Sequence, residues 1–384
     1  MLTDLVPLIA GVIIFLSSLI SLRLGISVAV IEILAGIVAG NCGLKSQEWM
    51  IYLANFGGII LTFLAGTEID TQDMKKNWPK SLAIGGFSFL VPFVVISLLS
   101  FYLLHWTLKA SLIAGIALST TSLAVVYSVL VESGLSRTKL GKLLMSSTFI
   151  TDMGTALALS VLFIKPDRYT LLFYGVSIAV IVLAAAFSHK IFGHHRLKNK
   201  VIEAEIKYIF VLLLILIFFA KLGGGHAVLP AFLLGLFMSK YFSENSEHRA
   251  VMRRLRTVAY AVITPLFFIV GGLRVSIPMI VSVAGLFGLF LGAKLLTKFL
   301  GVYFWARKFI PGGGAYTTLL MSTGLTFGTI SSLFGLQAGI ITPLQYSLLV
   351  GVVIASAVVP TFIAQKWFKP VEDEDILDYK SGSK

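Results

Sequence analysis

The chain has 384 residues, of which 57% are hydrophobic and only 13% charged, with a mean hydropathy of +0.93. That leaves too little polar surface for a soluble protein of this length. One cysteine, Cys42, excludes an intramolecular disulfide and a thiolate metal cage.

Taken in chain order, the apolar runs between polar or Gly/Pro breaks predict about thirteen transmembrane helices. They lie at 4–22, 26–41, 48–67, 79–105, 108–132, 140–164, 169–190, 202–220, 224–240, 256–273, 277–305, 314–336 and 343–366. Most are long enough to cross a bilayer core at 1.5 Å per residue. The alternation of a transmembrane barrel is absent. The first run lacks a basic flank and is followed by many more, so it reads as a helix and not as a cleaved leader.

Loop charges set the orientation. Twenty-two of the 31 basic residues fall in alternate loops together with the C-terminal tail, from Arg23 and the Lys75–Lys76–Lys80 group to Lys384. Only six occupy the other loops. The N-terminus is expected outside and the C-terminus cytoplasmic, and the net charge of +13 is a topology signal with no nucleic-acid partner implied. The acidic tail at 370–384 is expected to stay unpacked, with no soluble sensing domain after it.

Thirteen spans divide as 6+1+6, with the helix at 169–190 as a linker, which is the arithmetic of an inverted-topology repeat. Corresponding spans then share oddities. The fifth carries "STTS" at Ser119–Ser122 and the twelfth carries "MSTGLTFGT" from Met321. Such clusters serve close helix packing. Their matching positions in both halves favour the other reading, two discontinuous helices whose freed backbone groups line a cavity or pack in protein.

Few ionisable residues lie within spans: Glu32, Asp152, Lys294 and Lys298, with Glu68 at a helix end. A charge at mid-bilayer costs from about 3 to more than 10 kcal/mol, so it faces a partner or a cavity. Asp152, alone in "SSTFITDMGTALALSVLF", is the principal candidate. A carboxylate kept from water needs a counter-charge, so a proton and an alkali cation compete for the same oxygens. Hydroxyls of Thr151, Thr121 and Ser122, with backbone carbonyls at the breaks, would complete an oxygen shell for Na⁺ or K⁺, by extension from calcium and magnesium sites.

Lys294 and Lys298 stand four apart on one helix face, and one of them is expected to pair with Asp152 when no cation is bound. Either could instead snorkel toward the headgroups. Glu32 is either a cavity acid or a helix-end partner of a basic loop residue. Glu68 reads as structural. His194 and His195 lack a spaced carboxylate for a metal site but titrate near cytoplasmic pH.

In order and spacing, a series of segments resembles the monovalent cation:proton antiporter-2 family, the Kef- and Nap-type exchangers. They are "VIEILAGIVAGNCG", "FLAGTEID", "ALSTTSLAVVYSVLVESG", "FITDMGTALAL", "LPAFLLGLFMS", "ITPLFFIVGGLRV" and "KFLGVYFWARK". The resemblance covers roughly residues 5–368. It implies an all-α membrane fold in which two discontinuous helices cross. A dimerisation panel of residues 1–75 and 202–273 would flank a transport core of 79–164 and 277–368. It places the family's ion-binding aspartate on Asp152, its core lysine on Lys298 in preference to Lys294, and its hydroxyls on Thr121 and Ser122.

Two departures matter. Electrogenic members carry Asp-Asp where this chain has Thr151-Asp152, and many members have a charge in the twelfth-span motif, where this chain has none. The expectation is therefore one-for-one Na⁺ or K⁺ exchange for H⁺, without a cofactor. The protein would be a homodimer in a prokaryotic plasma membrane, with room for a separate cytoplasmic regulatory subunit. Competing readings are a sodium-coupled organic-anion symporter, for which only Arg274 offers an outer anion anchor, and a channel or efflux pore. A membrane enzyme is disfavoured, because the spans contain no nucleophile–base pair.

Overall fold

The computed structural model describes residues 2–24, 28–67, 71–135, 138–163, 168–193, 203–223, 227–244 and 246–370. Glu68, His194, His195 and nearly all of the acidic tail lie outside the described residues.

Every described element is helical. In order these are α1 (Leu2–Leu24), α2 (Val28–Asn41), α3 (Glu48–Thr67), α4 (Thr71–Leu98), α5 (Leu108–Ser119) and α6 (Leu123–Glu132). Next come α7 (Lys139–Leu162), α8 (Arg168–Gly193), α9 (Ala204–Leu222), α10 (Val228–Glu244), α11 (Ser246–Val258) and α12 (Thr264–Leu273). The last are α13 (Ile277–Ser282), α14 (Ala284–Phe309), α15 (Gly314–Met321), α16 (Thr326–Gln337) and α17 (Pro343–Trp367).

Among the described residues, eight helical stretches are long and apolar enough to cross a membrane. They are Leu5–Leu24, Glu48–Thr67, Asn77–Leu103, Lys139–Leu162, His248–Leu273, Ala284–Phe309, Gly314–Gln337 and Pro343–Trp367. Shorter apolar helices stand at Val28–Asn41, Leu108–Ser119, Arg168–Ala184 and Val228–Ser239. Side chains such as Leu22, Leu171 and Tyr102 are largely exposed, as suits a lipid-facing surface. The chain is an all-α, multi-pass membrane protein.

Local chemistry explains the helix boundaries. Thr107 caps α5 by accepting from Ala110 N at 3.3 Å. Thr342 and Gln345 form a reciprocal capping box at the start of α17, with Pro343 at the first turn. The amphipathic α11, "SEHRAVMRRLRTV", was hidden from a reading by apolar runs because its mean composition is polar. It continues through a π-helical turn at Ala259–Ile263 into α12.

The chain divides into two compact units. One comprises residues 47–71 and 156–267. In it α3 and α10 meet at backbone distance, because a side chain on Gly66 would strike Phe232 O and one on Gly235 would strike Phe63 O. Phe63, Leu213, Leu216 and Ala231 belong to its buried core.

The other unit comprises residues 1–46, 72–155 and 268–384 and holds the candidate site. Here Gly85 brings α4 against α7, since a Cβ would collide with Ser147 O and stand 2.8 Å from Ile150 Cβ. The stripe of hydroxyls on α7 is satisfied by its own backbone: Ser147 donates to Leu143 O at 2.8 Å, Thr148 to Leu144 O at 2.9 Å and Thr155 to Thr151 O at 2.9 Å.

A candidate ion site where two interrupted helices meet

The helix that begins at Leu108 stops at Ser119, and Thr120 turns extended, with φ −64° and ψ 154°. The chain resumes as α6 at Leu123, where Ser122 Oγ accepts from Val125 N at 3.4 Å. The second interruption separates α15 from α16. Thr323 N still reaches Leu320 O at 3.2 Å, but Leu325 leaves helical geometry, with φ −152° and ψ −76°. Hydroxyls close the loose ends: Thr120 donates to Ala117 O at 3.0 Å, Ser322 to Thr318 O at 2.7 Å and Thr323 to Leu320 O at 2.7 Å. This is how a helix break survives away from water.

The two breaks touch. Thr121 Oγ1 donates to Met321 O at 2.8 Å, and Ser122 N donates to Thr323 Oγ1 at 3.5 Å. Carbonyl ends of α5 and α15, with their partial negative charge, are thus gathered near the amide-rich starts of α6 and α16. The arrangement offers both oxygen ligands and dipoles to a small charged guest.

Lys298 enters this crossing from α14. Its side chain is fully buried, and Nζ donates to Ser88 Oγ at 2.8 Å and to Thr121 Oγ1 at 3.0 Å. Lys294 lies one turn away on the same helix. Asp152, on α7, is 2% exposed. Its helix reaches the second break through Thr148 Oγ1, which lies 3.5 Å from Met321 Sδ. Lys298 and Thr121 are therefore bonded at the crossing, with Ser122 one residue on, and Asp152 lies on the helix that reaches the same break.

The remaining candidates are placed differently. Thr151 turns its hydroxyl to Ser147 O at 3.1 Å and to Gly85 O on α4 at 3.3 Å, so its proton is committed to backbone. Lys294 is also fully buried, one turn from Lys298, and its Nζ makes no hydrogen bond among the described residues. Neither lysine snorkels. Glu32 is buried in the first half of α2 and forms no ion pair or hydrogen bond among the described residues. No group of three His, Cys, Asp or Glu able to hold a metal occurs among the described residues.

Sequence reasoning missed Ser88. The Ser81–Gly85–Ser88 spacing on α4 was the available signal, since it sets small and hydroxyl residues on one helix face. Thr120 and the Met321 carbonyl fall within the two breaks where hydroxyls and backbone carbonyls are expected.

The family profile described as "Sodium/hydrogen exchanger, transmembrane" matches residues 11–369. A probable Na⁺/H⁺ antiporter 3 of Methanocaldococcus jannaschii is 30% identical over 265 residues, 66% of each chain. A putative Na⁺/H⁺ antiporter of Bacillus subtilis is 24% identical over 92% of this chain and 61% of its own length. The chain thus spans less than two thirds of the length of those two relatives, 66% and 61%. A Na⁺/H⁺-K⁺ antiporter, GerN of Bacillus cereus, is 24% identical over 88% of this chain and 89% of its own. The fold is similar to that of the sodium proton antiporter MjNhaP1 from Methanocaldococcus jannaschii, with a TM-score of 0.71 at 15% identity over 95% of this chain and 99% of that one. The chain belongs to the sodium/hydrogen exchanger transmembrane family.

Proposed function

We propose that the protein is a secondary active antiporter exchanging a monovalent cation, Na⁺ or K⁺, for a proton at Asp152. The observation that carries this reading is the double use of one hydroxyl. Thr121 Oγ1 receives Lys298 Nζ and donates to the Met321 carbonyl of the other interrupted helix. Lys298 lies within electrostatic reach of Asp152. With the site empty, Lys298 supplies the counter-charge that a buried carboxylate requires. A proton on Asp152 removes that requirement, and an alkali ion replaces Lys298 beside the carboxylate. The two loads exclude each other.

Both loaded forms carry the same charge, because each adds one positive charge to the same pair. That supports one-for-one, electroneutral exchange. In alternating access, the unit holding the two breaks would present Asp152 to each side in turn, with the N-terminus outside and the C-terminus cytoplasmic. The 6+1+6 inverted repeat, the panel-and-core division, a homodimeric assembly in a prokaryotic plasma membrane and membership of the Kef- and Nap-type branch belong to this same reading. The relatives described as Na⁺/H⁺ and Na⁺/H⁺-K⁺ antiporters support both cations as substrates.

The test is proton movement in reconstituted vesicles when Na⁺, K⁺ or Li⁺ is added in turn. The wild-type protein should release protons with at least one of them, and Asp152→Asn should be silent with all three. A variant that still exchanges moves the shared site elsewhere.

A further inference from the structure

The carbonyl end of α12 is held by donors from other helices. The last carbonyls of a helix lack intrahelical partners, and Tyr346 Oη, on the first turn of α17, donates to Gly271 O at 2.8 Å. Tyr346 is fully buried. Just past α12, Ser276 N donates to Ser347 Oγ at 2.9 Å. Asn41, the last residue of α2, grips the same connection with both ends of its amide. Its Nδ2 donates to Val275 O at 2.9 Å, and Ile277 N donates to its Oδ1 at 3.1 Å.

α2 and α12 meet at backbone distance and form one rigid pair. Cβ atoms at Gly36 and Gly40 would strike Ile269 O and Leu273 O, and one at Gly272 would strike Ile33 O. Against that pair stand α16 and α17. A Cβ at Gly271 would make ordinary van der Waals contact with both, 3.4 Å from Thr329 Cγ2 and 3.6 Å from Tyr346 Oη. Thr329 lies one turn after the second break, and its N donates to Leu325 O at 2.9 Å. Its own hydroxyl is fully buried and has no hydrogen-bond partner among the described residues.

These contacts cross the boundary that the panel-and-core reading draws between α12 and α13. On that reading residues 1–46 and 268–273 stand in the panel, yet they form one compact unit with the two breaks. The hydrogen bonds of Tyr346, Ser347 and Asn41 account for the joining. The unmade bond on Thr329 weakens the closed arrangement, and separation of α12 from α16 would admit water to it.

We propose that Tyr346 is the bolt of a latch, on the side where the N-terminus is assigned, that must open in each exchange cycle. With Ser347 and Asn41 it holds the α2–α12 pair against α16 and α17, and its release lets the second break reach outer solvent. The inference rests on the alternating-access reading of the protein, and the experiment separates the two.

The measurement uses the full-length protein with Cys42→Ser, which removes its single native thiol. Gly271→Cys and Thr329→Cys are added together, because their side chains would meet at disulfide spacing. Exchange in reconstituted vesicles should proceed with the pair reduced, fall roughly tenfold or more on oxidation to the disulfide, and recover with dithiothreitol. Either cysteine alone, oxidised in the same way, should leave the rate unchanged. Exchange that continues at the reduced rate in fully cross-linked protein overturns the proposal, because the contact then never opens.

Tyr346→Phe decides the point without a cross-link, since it keeps the ring and removes the donor to Gly271 O. In intact cells, labelling of Thr329→Cys by an impermeant maleimide from outside should accelerate roughly two- to tenfold, the worth of one hydrogen bond. An equal labelling rate with and without the hydroxyl overturns the latch, whether or not the melting temperature falls. An Asp152→Asn protein that still exchanges refutes the Asp152 site alone and leaves the cross-link to decide the latch.

Discussion

Lys298 and Thr121 form the joint between the two interrupted helices: Nζ donates to Oγ1 at 3.0 Å, and the same oxygen donates onward to Met321 O at 2.8 Å. The hydroxyl's single proton is committed to Met321 O, and Lys298 uses one of its two lone pairs. An alkali ion that takes Thr121 as a ligand competes with the lysine for the same oxygen, whereas a proton need only land on Asp152. The competition is thus built into one oxygen atom as well as into the carboxylate.

Loss of the lysine should expose this coupling. Lys298→Met leaves Asp152 without its counter-charge and should destabilise the protein by about 3–5 kcal/mol, as for other broken buried pairs. The combined Asp152→Asn, Lys298→Met protein should be less destabilised than the sum of the two single changes. Thermal denaturation of all four proteins, arranged as a double-mutant cycle, measures this. Additive losses would mean that the two side chains do not act as a pair.

The two acceptors of Lys298 should rank unequally. Ser88→Ala removes one hydrogen bond and leaves the helix crossing intact, a loss of about 1–3 kcal/mol for a bond to a charged group. Thr121→Val removes an acceptor and also the donor to Met321 O, so it loosens both breaks together. Exchange measured at saturating Na⁺ or K⁺ should fall further in Thr121→Val than in Ser88→Ala.

Replacement of Thr151 should not convert the protein into an electrogenic exchanger. Its hydroxyl donates to Gly85 O and Ser147 O, so Thr151→Asp would aim carboxylate oxygens at carbonyl oxygens. The expected outcome is a lower melting temperature with exchange still indifferent to voltage. Measurement in vesicles under an imposed potential, with both ion gradients clamped, decides the point. A rate that follows the potential in the wild-type protein would refute one-for-one exchange.

The sequence disclosed the helix breaks because hydroxyl clusters inside apolar runs have a local cause. Thr120 and Ser322 satisfy carbonyls within their own helix, so their signature is short-range. Asp152 and the buried lysines were equally legible, since charge within an apolar run is visible without tertiary knowledge. What could not be read was pairing across the chain. Ser88 and Thr121 meet Lys298 from 210 and 177 residues away, and nothing in either segment names the other. The orientation of the Thr151 hydroxyl could not be read for the same reason: its neighbour Gly85 lies 66 residues upstream.

The contact at Gly85 gives the last prediction. A methyl group there would run into Ser147 O and the Ile150 side chain, on the turns of α7 that lead to Asp152. Neither a backbone carbonyl nor a β-branched side chain yields easily, so Gly85→Ala must push α4 and α7 apart. Overpacking of this kind costs about 1–3 kcal/mol. The same displacement shifts Ser88, three residues on along α4, away from Lys298 Nζ, now 2.8 Å distant. Gly85→Ala should therefore lower both thermal stability and exchange rate. Gly86→Ala, whose Cβ would meet only Leu82 Cδ1 at 3.9 Å, should leave both nearly unchanged. Paired melting curves and vesicle assays compare them, and equal behaviour of the two neighbours would show that the α4–α7 approach does not position the site.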